Sequence, residues 1–542
     1  MDKTIKSTIL PLILLIVCAV SQQLQAETNI YVFSPNQSSV FRSGGIAGLQ
    51  KTFSITGQFR LTINSDAGVA SFEIVDANLT DETGSEYGQS LDEIFNMTGL
   101  AGTVVDDTTI QFEGKTADGT ESDVRLKLSF SNDSAHITGS TTPPPNSADM
   151  FLYDIDAVAT KKYAGGTGEP NEPYQIATAE DLMLLGETPN DYDKHFILTA
   201  DIDLDPNLPG RKVFDKAVIA ADTNDANWQF DGTSFTGVFD GNGHTITNLT
   251  ISGKGYLGLF GQLGLGAMIS NLGLEAIDVN GTSDHIGGLA GYNKGHITKN
   301  YITGTIIGDD EIGGLVGDNL GHVTECCSTG LVSGGESVGG LVGDNYSSIT
   351  TSYSNCTVSG VENTGGLLGH NFSGRVTRCF STGLVTGTEG VGGLVGDNDA
   401  NVNNSLWDDN DANITDSFWD METSTQPHSD GGTGKTTAEM QTAQTFLDAG
   451  WDFVGETDNG TEDIWSICEG TNYPRFVWQI PLGDFVCPDG VTIDDFAFFM
   501  EHWLDGNCDS SNDYCEGTDL NQSGTVDVND LEIFFENWPA KQ

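Results

Sequence analysis

Basic residues are scarce in this 542-residue chain, which has 22 lysines and arginines against 78 aspartates and glutamates. The formal net charge of -56 argues against nucleic-acid and anionic-lipid binding, because polyanions repel a surface of the same sign. The binding partners that the charge favours are instead counter-ions, above all Ca²⁺, and neutral or cationic molecules. The charge would also keep the protein soluble in a salty or calcium-containing exterior, and the two interpretations are compatible.

Long hydrophobic runs are missing after the first residues. The chain begins with Lys3 and Lys6, continues with the apolar run Ile9–Val20 and reaches a small residue at Ala26. This is the pattern of a secretory signal peptide over residues 1–26. No later stretch approaches the roughly 20 apolar residues of a membrane span. The sequence therefore predicts a secreted, extracellular or cell-surface protein without an integral membrane segment.

What the chain does contain is a glycine-rich phrase that occurs five times. Typical copies read IGGLVGDN and VGGLVGDN, and the first glycines are separated by 26, 26, 26 and 27 residues. A fixed period of this length indicates stacked repeats, in which each copy buries its apolar face only against its neighbours. These first glycines are Gly287, Gly313, Gly339, Gly365 and Gly392.

Alignment of the copies produces apolar columns. The segments between turn residues are too short for helices, so each copy is predicted to be one coil of a β-solenoid with about three short strands. Adjacent coils would lie roughly 4.8 Å apart. A helical solenoid is the rival, but the Gly-Gly pairs inside every apolar segment argue against it. The clearest column consists of Leu289, Leu315, Leu341, Leu367 and Leu394.

The repeated GGLVGxN phrase resembles the GLUG repeats of secreted and surface proteins. The resemblance covers residues 257–420, where a divergent first coil begins at Leu257. It implies a β-solenoid of about six coils and says little about chemistry. The segments around Trp451 and Trp478 are similar to the usual context of such repeats.

Other parts of the chain flank the predicted solenoid. Residues 27–160 alternate in the manner of strands and predict a β-sandwich or barrel. Residues 161–256 are expected to form a linker and a lead-in that covers the first open edge, with Thr178 as a helix N-cap. Residues 421–480 are expected to cap the far end. There the GGTGKT phrase from Gly431 lacks the glycine spacing of a phosphate-binding loop and is interpreted as a helix start.

Cysteine is sparse, with eight residues beyond the predicted signal peptide. Export permits disulfides, but Cys326 and Cys379 would lie two coils apart. That separation of about 9 to 10 Å is beyond disulfide reach. The solenoid thiols, which include Cys327 and Cys356, are therefore predicted to be free and mostly buried. The four C-terminal cysteines can bridge, and Cys508 with Cys515 is the most local option.

Polar columns also run along the predicted solenoid. Asparagines at one turn predict a ladder of side-chain hydrogen bonds. A column of carboxylates precedes each coil, and a partial third column contains Asp318, Asp344 and Asp397 with His370. Two interpretations stay open: solvated acidic turns, or a row of weak cation sites, since Ca²⁺ takes carboxylate and carbonyl oxygens. The asparagines are Asn293, Asn319, Asn345, Asn371 and Asn398, and the carboxylates are Asp284, Asp310, Glu336, Glu362 and Glu389.

Residues 481–542 contain the strongest metal signal. Side-chain oxygens fall at loop positions 1, 3, 5, 9 and 12, with Gly524 at position 6 and a carbonyl ligand at position 7. This is EF-hand spacing with aspartate in place of the final glutamate, and it predicts a Ca²⁺ site. An acidic loop without a metal is the alternative. The predicted ligands are Asp519, Asn521, Ser523, Thr525, Asp527 and Asp530.

The loop and its helix have an upstream counterpart. Apolar stripes at matching spacing are predicted to pack together; they comprise Leu531, Phe534, Phe535 and Trp538, and, 35 residues earlier, Phe496, Phe499, Met500 and Trp503. The duplicated loop–helix unit resembles a type I dockerin module, which implies folding with Ca²⁺ and docking onto a cohesin-like protein. The sequence departs from that pattern at Val486 and Pro488 in the first loop, and at Val528 and Asn529 among the contact positions.

The sequence thus predicts an exported, modular surface or matrix protein that is non-catalytic. Its solenoid would bind a cell-surface glycan or another surface, and its calcium-binding dockerin-like tail would dock a protein partner. The alternative is a polysaccharide-degrading enzyme or cellulosome-like component that acts on extracellular glycans. Carboxylates that repeat with the coil, and only four basic residues within 257–420, favour the non-catalytic interpretation, because catalysis needs acids and a base that converge at one place. No catalytic residue is predicted.

Overall fold

The computed structural model shows a mainly β protein that divides into two compact units. The first unit reaches Asp181 and includes Lys194–Thr199, and the second comprises Leu182–Asp193 and the chain from Ala200 onward. The predicted signal peptide, 1–26, lies outside the described residues. The structure describes residues 27–34, 37–44, 50–64, 67–81, 94–95, 100–106, 108–115, 123–131, 134–142, 151–224, 226–399, 414–456, 458–460, 462–487, 490–509 and 513–538.

The first unit begins with an antiparallel β-barrel, which decides between the sandwich and the barrel that the sequence allowed. Its strands are β1 Glu27–Phe33, β2 Ser39–Gly44, β3 Lys51–Asn64, β4 Val69–Thr80, β5 Ala101–Asp106, β6 Thr109–Lys115, β7 Asp123–Ser131, β8 Ser134–Thr142 and β9 Phe151–Lys161. Both β1 and β2 pair with β3 and β9, each along a different part of those long strands. The strands β1 and β2 therefore occupy the same place between β9 and β3 in the sheet. The pairing of β3 with β4 then closes the sheet into a barrel.

The barrel core is aromatic because alternate residues of each strand point inward. Phe59 and Phe72 stack with ring centroids 4.4 Å apart, and Phe112 meets Phe72 edge-on at 5.9 Å. Phe33 and Phe53 are buried in the same cluster. Ring pairs of this kind contribute about 1 kcal/mol each beyond the area they bury.

A short helical and strand segment follows the barrel. The helix Ala179–Gly186 begins as predicted at Thr178, whose hydroxyl accepts a hydrogen bond from the Asp181 amide. The Asp181 carboxylate accepts one from the Thr178 amide in return. The other elements are the paired strands Tyr174–Ile176 and His195–Leu198 and the 3-10 turn Pro189–Asp191.

A parallel β-solenoid of about six coils dominates the second unit. Each full coil contributes strands to four sheets, A to D, rather than the three that the sequence indicated. Sheet A contains Ile286–Gly287, Ile312–Gly313, Glu336–Gly339, Glu362–Gly365 and Glu389–Gly392. Sheet B contains Phe260–Leu263, Ala290–Asn293, Val316–Asn319, Val342–Asn345, Leu368–Asn371 and Val395–Asn398.

Sheets C and D complete each coil. In the second unit, sheet C contains Val238–Asp240, Met268–Ser270, His296–Thr298, His322–Thr324, Ser348–Thr350, Arg375–Thr377 and Ile414–Thr415. Sheet D contains Ile202–Asp203, Thr245–Thr247, Thr250–Gly253, Gly273–Gly281, Tyr301–Ile307, Cys327–Ser333, Tyr353–Ser359, Phe380–Ser381, Val385–Thr386, Phe418–Asp420 and Thr433–Lys435. Strands of both sheets therefore begin before Leu257, within the predicted lead-in.

The glycine phrase builds the interior of the solenoid. Its leucines, represented by Leu315 and Leu341, are fully buried, and burying each such side chain contributes about 1.5–3 kcal/mol. Glycine is required at Gly313, where an added Cβ would collide with the Val316 carbonyl oxygen. The tight bend between sheets A and B leaves no room for a side chain there.

The asparagine ladder forms as predicted. Asn293 donates through Nδ2 to Oδ1 of Asn319 at 2.8 Å, and Asn319 donates to Asn345 at 2.9 Å. The series continues through Asn371 to Asn398, again at 2.9 Å per step. Because these side chains are buried, each amide depends on its neighbours in the adjacent coils for hydrogen bonds.

The segment after the solenoid closes its far end and also covers the outer face of sheet D. Thr433–Lys435 adds the last parallel strand, and the predicted helix start is present at Thr436, which forms a capping box with Glu439. Trp465 and Phe476 then pack against Tyr353 of sheet D. The remaining elements are the helices Met421–Ser424, Thr437–Met440 and Ala443–Leu447, the strands Trp465–Ser466 and Arg475–Phe476, and the 3-10 turn Val477–Gln479.

The cysteines behave as the spacing predicted. The thiols of Cys326, Cys327, Cys356 and Cys379 are free and buried. The predicted local disulfide Cys508–Cys515 is present, and Cys468–Cys487 links the capping segment to the tail.

The tail consists of two helices that pack against each other. They are Ile493–Glu501 and Val528–Asn537, with a short left-handed turn at Asp513–Glu516 between them. Phe499 and Phe534 stack at 5.4 Å in the core. The predicted stripes are only partly buried, because Met500 and Phe535 are 43% and 52% exposed.

Candidate functional site

The predicted calcium loop is a tight turn organised by buried carboxylates. Asp519, at its first position, is 1% exposed. Its two oxygens accept hydrogen bonds from the backbone amides of Ser523 at 2.9 Å and Gly524 at 2.7 Å. Gly524 has a φ of 92°, a conformation that favours glycine over residues with a Cβ.

The other end of the loop is closed in the same way. Asp530 is fully buried and accepts hydrogen bonds from the amides of Asn521 at 3.0 Å and Asp527 at 2.8 Å. Asp527 caps the helix Val528–Asn537 and accepts from the Asn529 amide at 2.8 Å. The loop geometry therefore comes from backbone amides that point at the carboxylates from both sides.

The predicted ligand residues supply oxygen donors. The loop offers the carboxylates of Asp519, Asp527 and Asp530, the amide oxygen of Asn521 and the hydroxyl of Ser523. Oxygen donors of this kind, with a backbone carbonyl, are the set that Ca²⁺ prefers. Buried negative charge also favours a cation, because charges removed from water need compensation.

The last carboxylate of the upstream loop closes it in the same way, but the loop lacks the same donors. Asp495, 1% exposed, accepts hydrogen bonds from the amides of Val486 and Thr492, both at 2.8 Å. Asp484 accepts one from Gly490 at 2.8 Å. The valine at position 3 supplies no side-chain oxygen, so the full set of oxygen donors is confined to the second loop.

A groove runs along the outer face of sheet D beneath the turn Val477–Gln479. Its volume is about 700 Å³, and its walls include Tyr301, Trp478, Lys299 and Arg475. The rings of Tyr301 and Trp478 lie 6.4 Å apart. The groove forms only when the capping segment folds back over the coils, so no pattern along the sequence predicts it.

The groove walls are held by hydrogen bonds between the coil and the capping segment. Tyr353 donates to Oε1 of Gln479 at 3.0 Å, and Gln479 donates to Sγ of Cys327 at 3.1 Å. Tyr301 donates to Glu275 at 2.6 Å. Aromatic side chains with a few amide and hydroxyl groups are the lining typical of small-molecule sites.

A third arrangement lies on sheets A and B, where two coils bring a histidine to two carboxylates. His285 Nδ1 pairs with Oε2 of Glu311 and lies 3.3 Å from Oδ2 of Asp318. The His285 ring packs against Tyr256 at 4.5 Å and Tyr292 at 5.8 Å. His285 and Glu311 occupy left-handed turns with φ near 59°. We name His285, Glu311 and Asp318 the histidine–carboxylate cluster.

Burial governs the electrostatics of this region. Burial alone would lower the pKa of His285, but the hydrogen bonds and charges of Asp318 and Glu311 raise it to about 10. Burial raises the pKa of Asp318, against the opposing effect of His285. Burial, reinforced by the charge of Asp318, raises the pKa of Asp344 to about 8. These groups therefore lack the water that would normally solvate their charges.

The two acidic columns of the solenoid differ in their exposure to solvent. Glu336, Glu362 and Glu389 are paired in register on sheet A and exposed, as in the solvated interpretation. Asp318 and Asp344 of the third column are buried instead. The turn that precedes each sheet A strand contains His285 in one coil and Glu311 in the next, so this column of the repeat is the sequence signal that places the histidine beside a carboxylate.

Other groups among the described residues bring similar side chains together. His370 Nε2 lies 3.4 Å from Asp397 and 3.3 Å from Asp399. Carboxylates of Asp284, Asp309 and Asp310 also converge. Like the histidine–carboxylate cluster, these acidic clusters can hold a metal ion, in agreement with the cation sites that the sequence allowed.

Known proteins resemble part of this chain. Halomucin of Haloquadratum walsbyi is 32% identical over 187 residues, which are 33% of this chain and 2% of halomucin. A protein of Evansella cellulosilytica described as a Gly-rich membrane protein is 32% identical over 162 residues, 27% of this chain and 16% of that protein. The chain thus spans a small share of either relative. No family model matches the chain, and no solved structure does.

The similarity to halomucin and to the Gly-rich membrane protein, together with the β-solenoid, fits a surface or extracellular protein. Within the described part of the chain, every helix is too short or too polar to cross a membrane.

Proposed function

We propose that this protein is an exported, non-catalytic surface or matrix protein with a GLUG-type solenoid and a dockerin-like tail. The solenoid serves as a spacer and binds glycans or another cell surface, and the tail binds Ca²⁺ and docks a cohesin-like protein. The observation that carries the tail's role is the pair of buried carboxylates, Asp519 and Asp530, in a loop of oxygen donors.

Calcium titration of the full-length protein tests the tail. We use the full chain because the Cys468–Cys487 disulfide links the tail to the capping segment. After EGTA treatment, calorimetry should detect a tight Ca²⁺ site above the weak binding of the acidic surface. Asp519→Asn should weaken it at least tenfold, because a neutral amide replaces a carboxylate ligand.

The matched control for that titration is Asp494→Asn. Asp494 lies in the first turn of the tail's upstream helix and is exposed, so its change should leave the tight site intact. A wild-type protein with only weak, non-saturating calcium binding would contradict the proposal. Binding of a recombinant type I cohesin in Ca²⁺, and its loss in EGTA, tests the partner separately; no binding under either condition would remove the docking role.

The groove supports a glycan as the ligand of the solenoid. Trp478 and Tyr301 offer ring faces, and Asn242, Asn271 and Thr303 offer amide and hydroxyl groups. Sugar rings present apolar faces and many hydroxyls, which match such a surface. None of the residues that line the groove in the described part of the chain is a carboxylate, so it supports binding better than hydrolysis by a carboxylate pair.

A glycan array with the full-length protein tests this role. Any glycan on the array that the wild-type protein binds should no longer be bound by the Trp478→Ala variant. Trp228→Ala is the control, because Trp228 is 77% exposed and does not line the groove. Equal loss in both variants, or no glycan bound by the wild type, would contradict the groove as a glycan site. Release of reducing sugar from a bound polysaccharide would favour the enzymatic alternative.

A further inference from the structure

We propose that the histidine–carboxylate cluster binds a divalent first-row metal cation such as Zn²⁺ and thereby joins two consecutive coils of the solenoid. His285 comes from one coil, and Glu311 and Asp318 come from the next. This site is separate from the tail loop in position and in donor chemistry.

The donor spacing suits a small cation. One ligand atom from each of His285, Glu311 and Asp318 can be chosen so that all lie within 4.8 Å of one another. The Nδ1 atom of His285 is 3.3 Å from Oδ2 of Asp318. A tetrahedral site with metal–ligand bonds of about 2.1 Å separates its donor atoms by about 3.4 Å. The His285–Asp318 spacing therefore matches such a site, and the shorter His285–Glu311 contact would open to admit the ion.

Buried oxygens without partners provide the second observation. Asp318 is 5% exposed, and its Oδ1 has no hydrogen-bond partner among the described residues. Asp344, one coil further along sheet B, is 2% exposed, and its Oδ1 also lacks a partner within that part of the chain. A buried carboxylate oxygen without a partner is costly. A cation held by the histidine–carboxylate cluster would give the buried Asp318 carboxylate the partner that its Oδ1 atom lacks.

The donor types select the class of cation. An imidazole nitrogen with two carboxylates suits Zn²⁺, Mn²⁺, Co²⁺ and similar ions, whereas Ca²⁺ prefers oxygen ligands alone. The rings of Tyr256 and Tyr292 pack against His285, which limits rotation of the imidazole. Lys294, whose ammonium group lies 4.9 Å from the centre of the Tyr292 ring, and Lys254, which lines a pocket with His285, are neighbouring cations on this face. Three protein donors leave a coordination position open for a water or another ligand.

The test uses the full-length protein, stripped of metal with a chelator and then saturated with Ca²⁺ so that oxygen-only sites are filled. Co²⁺ is added as a spectroscopic probe and displaced with Zn²⁺. Wild type should show a saturable Co²⁺ absorption with nitrogen and oxygen ligation, and His285→Gln should weaken binding at least tenfold. Asp318→Asn, which keeps the size of the side chain, should do the same and provides a second variant if His285→Gln does not fold.

The matched control is His296→Gln. His296 is exposed and stacks on His322 at 4.7 Å, so this pair is one other place on the solenoid where imidazole nitrogens can bind Co²⁺; the group of His370, Asp397 and Asp399 is another. The His296→Gln variant should show the same Co²⁺ absorption as the wild type, and so should the Asp519→Asn variant of the tail. Unchanged binding in both His285→Gln and Asp318→Asn, loss of binding in His296→Gln, or no saturable Co²⁺ binding by the wild type would each overturn the proposal.

Discussion

Asp495 and Asp530 occupy the same place in two loops 35 residues apart, and each accepts hydrogen bonds from the amides at loop positions 3 and 9. The tail is therefore an internal duplication in which both copies keep the carboxylate that closes the loop. Only the second copy also carries oxygen-bearing side chains at positions 3 and 5. Loop closure and the supply of oxygen donors are thus separable properties of one motif.

This separation predicts different effects of two similar substitutions. Asp495→Asn should lower the free energy of unfolding of the tail by about 1–3 kcal/mol with or without calcium, because its carboxylate organises a buried turn. Asp519→Asn should destabilise the protein more in Ca²⁺ than in EGTA. When free Ca²⁺ is 100 times the wild-type Kd, the added loss is about 1.3 kcal/mol for a tenfold weaker site and about 2.7 kcal/mol if the site is lost. Thermal unfolding in the two buffers measures both. A calcium-independent effect of Asp519→Asn would assign that residue a structural role alone.

The asparagine ladder should be cooperative. Asn345 donates to Asn371 and to the Ser347 carbonyl and accepts from Asn319. Asn345→Ala should destabilise the solenoid by about 2–5 kcal/mol, because it leaves buried amide groups of both neighbouring coils without partners. Asn280→Ala, at an exposed position of sheet D, should change stability by less than about 0.5 kcal/mol. Similar denaturation midpoints for the two variants would contradict this account.

The solenoid thiols should be inert in the folded protein. Burial raises the pKa of Cys326 and Cys379 to about 12 and of Cys327 and Cys356 to about 11. At pH 8 these groups are therefore protonated and shielded, and a thiol reagent should modify none of them until denaturant exposes all four. Rapid labelling of the folded protein lacking residues 1–26 would show that the coils open more readily than their packing implies.

The same thiols predict loss of stability at alkaline pH. The unfolded chain releases its thiol protons near the ordinary pKa of 9.0, whereas the folded chain holds them to about 11 or 12. Their contribution is complete below pH 9 and decreases as the pH rises toward 12. Denaturant titrations at pH 8 and pH 10 of wild type and Cys356→Ser measure it, and the variant should show the smaller decrease. Equal decreases would assign the alkaline loss to other groups.

The exposed glutamate column should make stability depend on salt. Glu362 is paired in register with Glu336 and Glu389, at a coil spacing of about 4.8 Å. Glu362→Gln should stabilise the protein by about 0.5 kcal/mol at low salt and by less at high salt, because salt screens like-charge repulsion. Asp278→Asn, exposed on sheet D between threonines of the adjacent strands, should show a smaller dependence. A salt-independent gain for Glu362→Gln would point to another cause.

Much of the fold was predictable because the coil repeats. Leu315 and Leu341 belong to a column whose members have the same environment in every coil. One repeated pattern therefore predicts the burial of many residues. The fourth strand of each coil was missed because it coincides with the Gly-Gly pair, which usually weakens a strand. Here the close approach to the next stretch of backbone at Val316 makes glycine necessary.

The sequence by itself determined the period, the leucine and asparagine columns, the free solenoid thiols and the oxygen donors of the tail loop, because each depends on spacing along the chain. Tertiary structure alone decided that Asp318 and Asp344 are buried while Glu362 is exposed, that His285 meets carboxylates of the next coil, and that the capping segment creates a groove on sheet D. The physical reason is that burial at a turn depends on what packs against it, and that neighbour is distant in sequence.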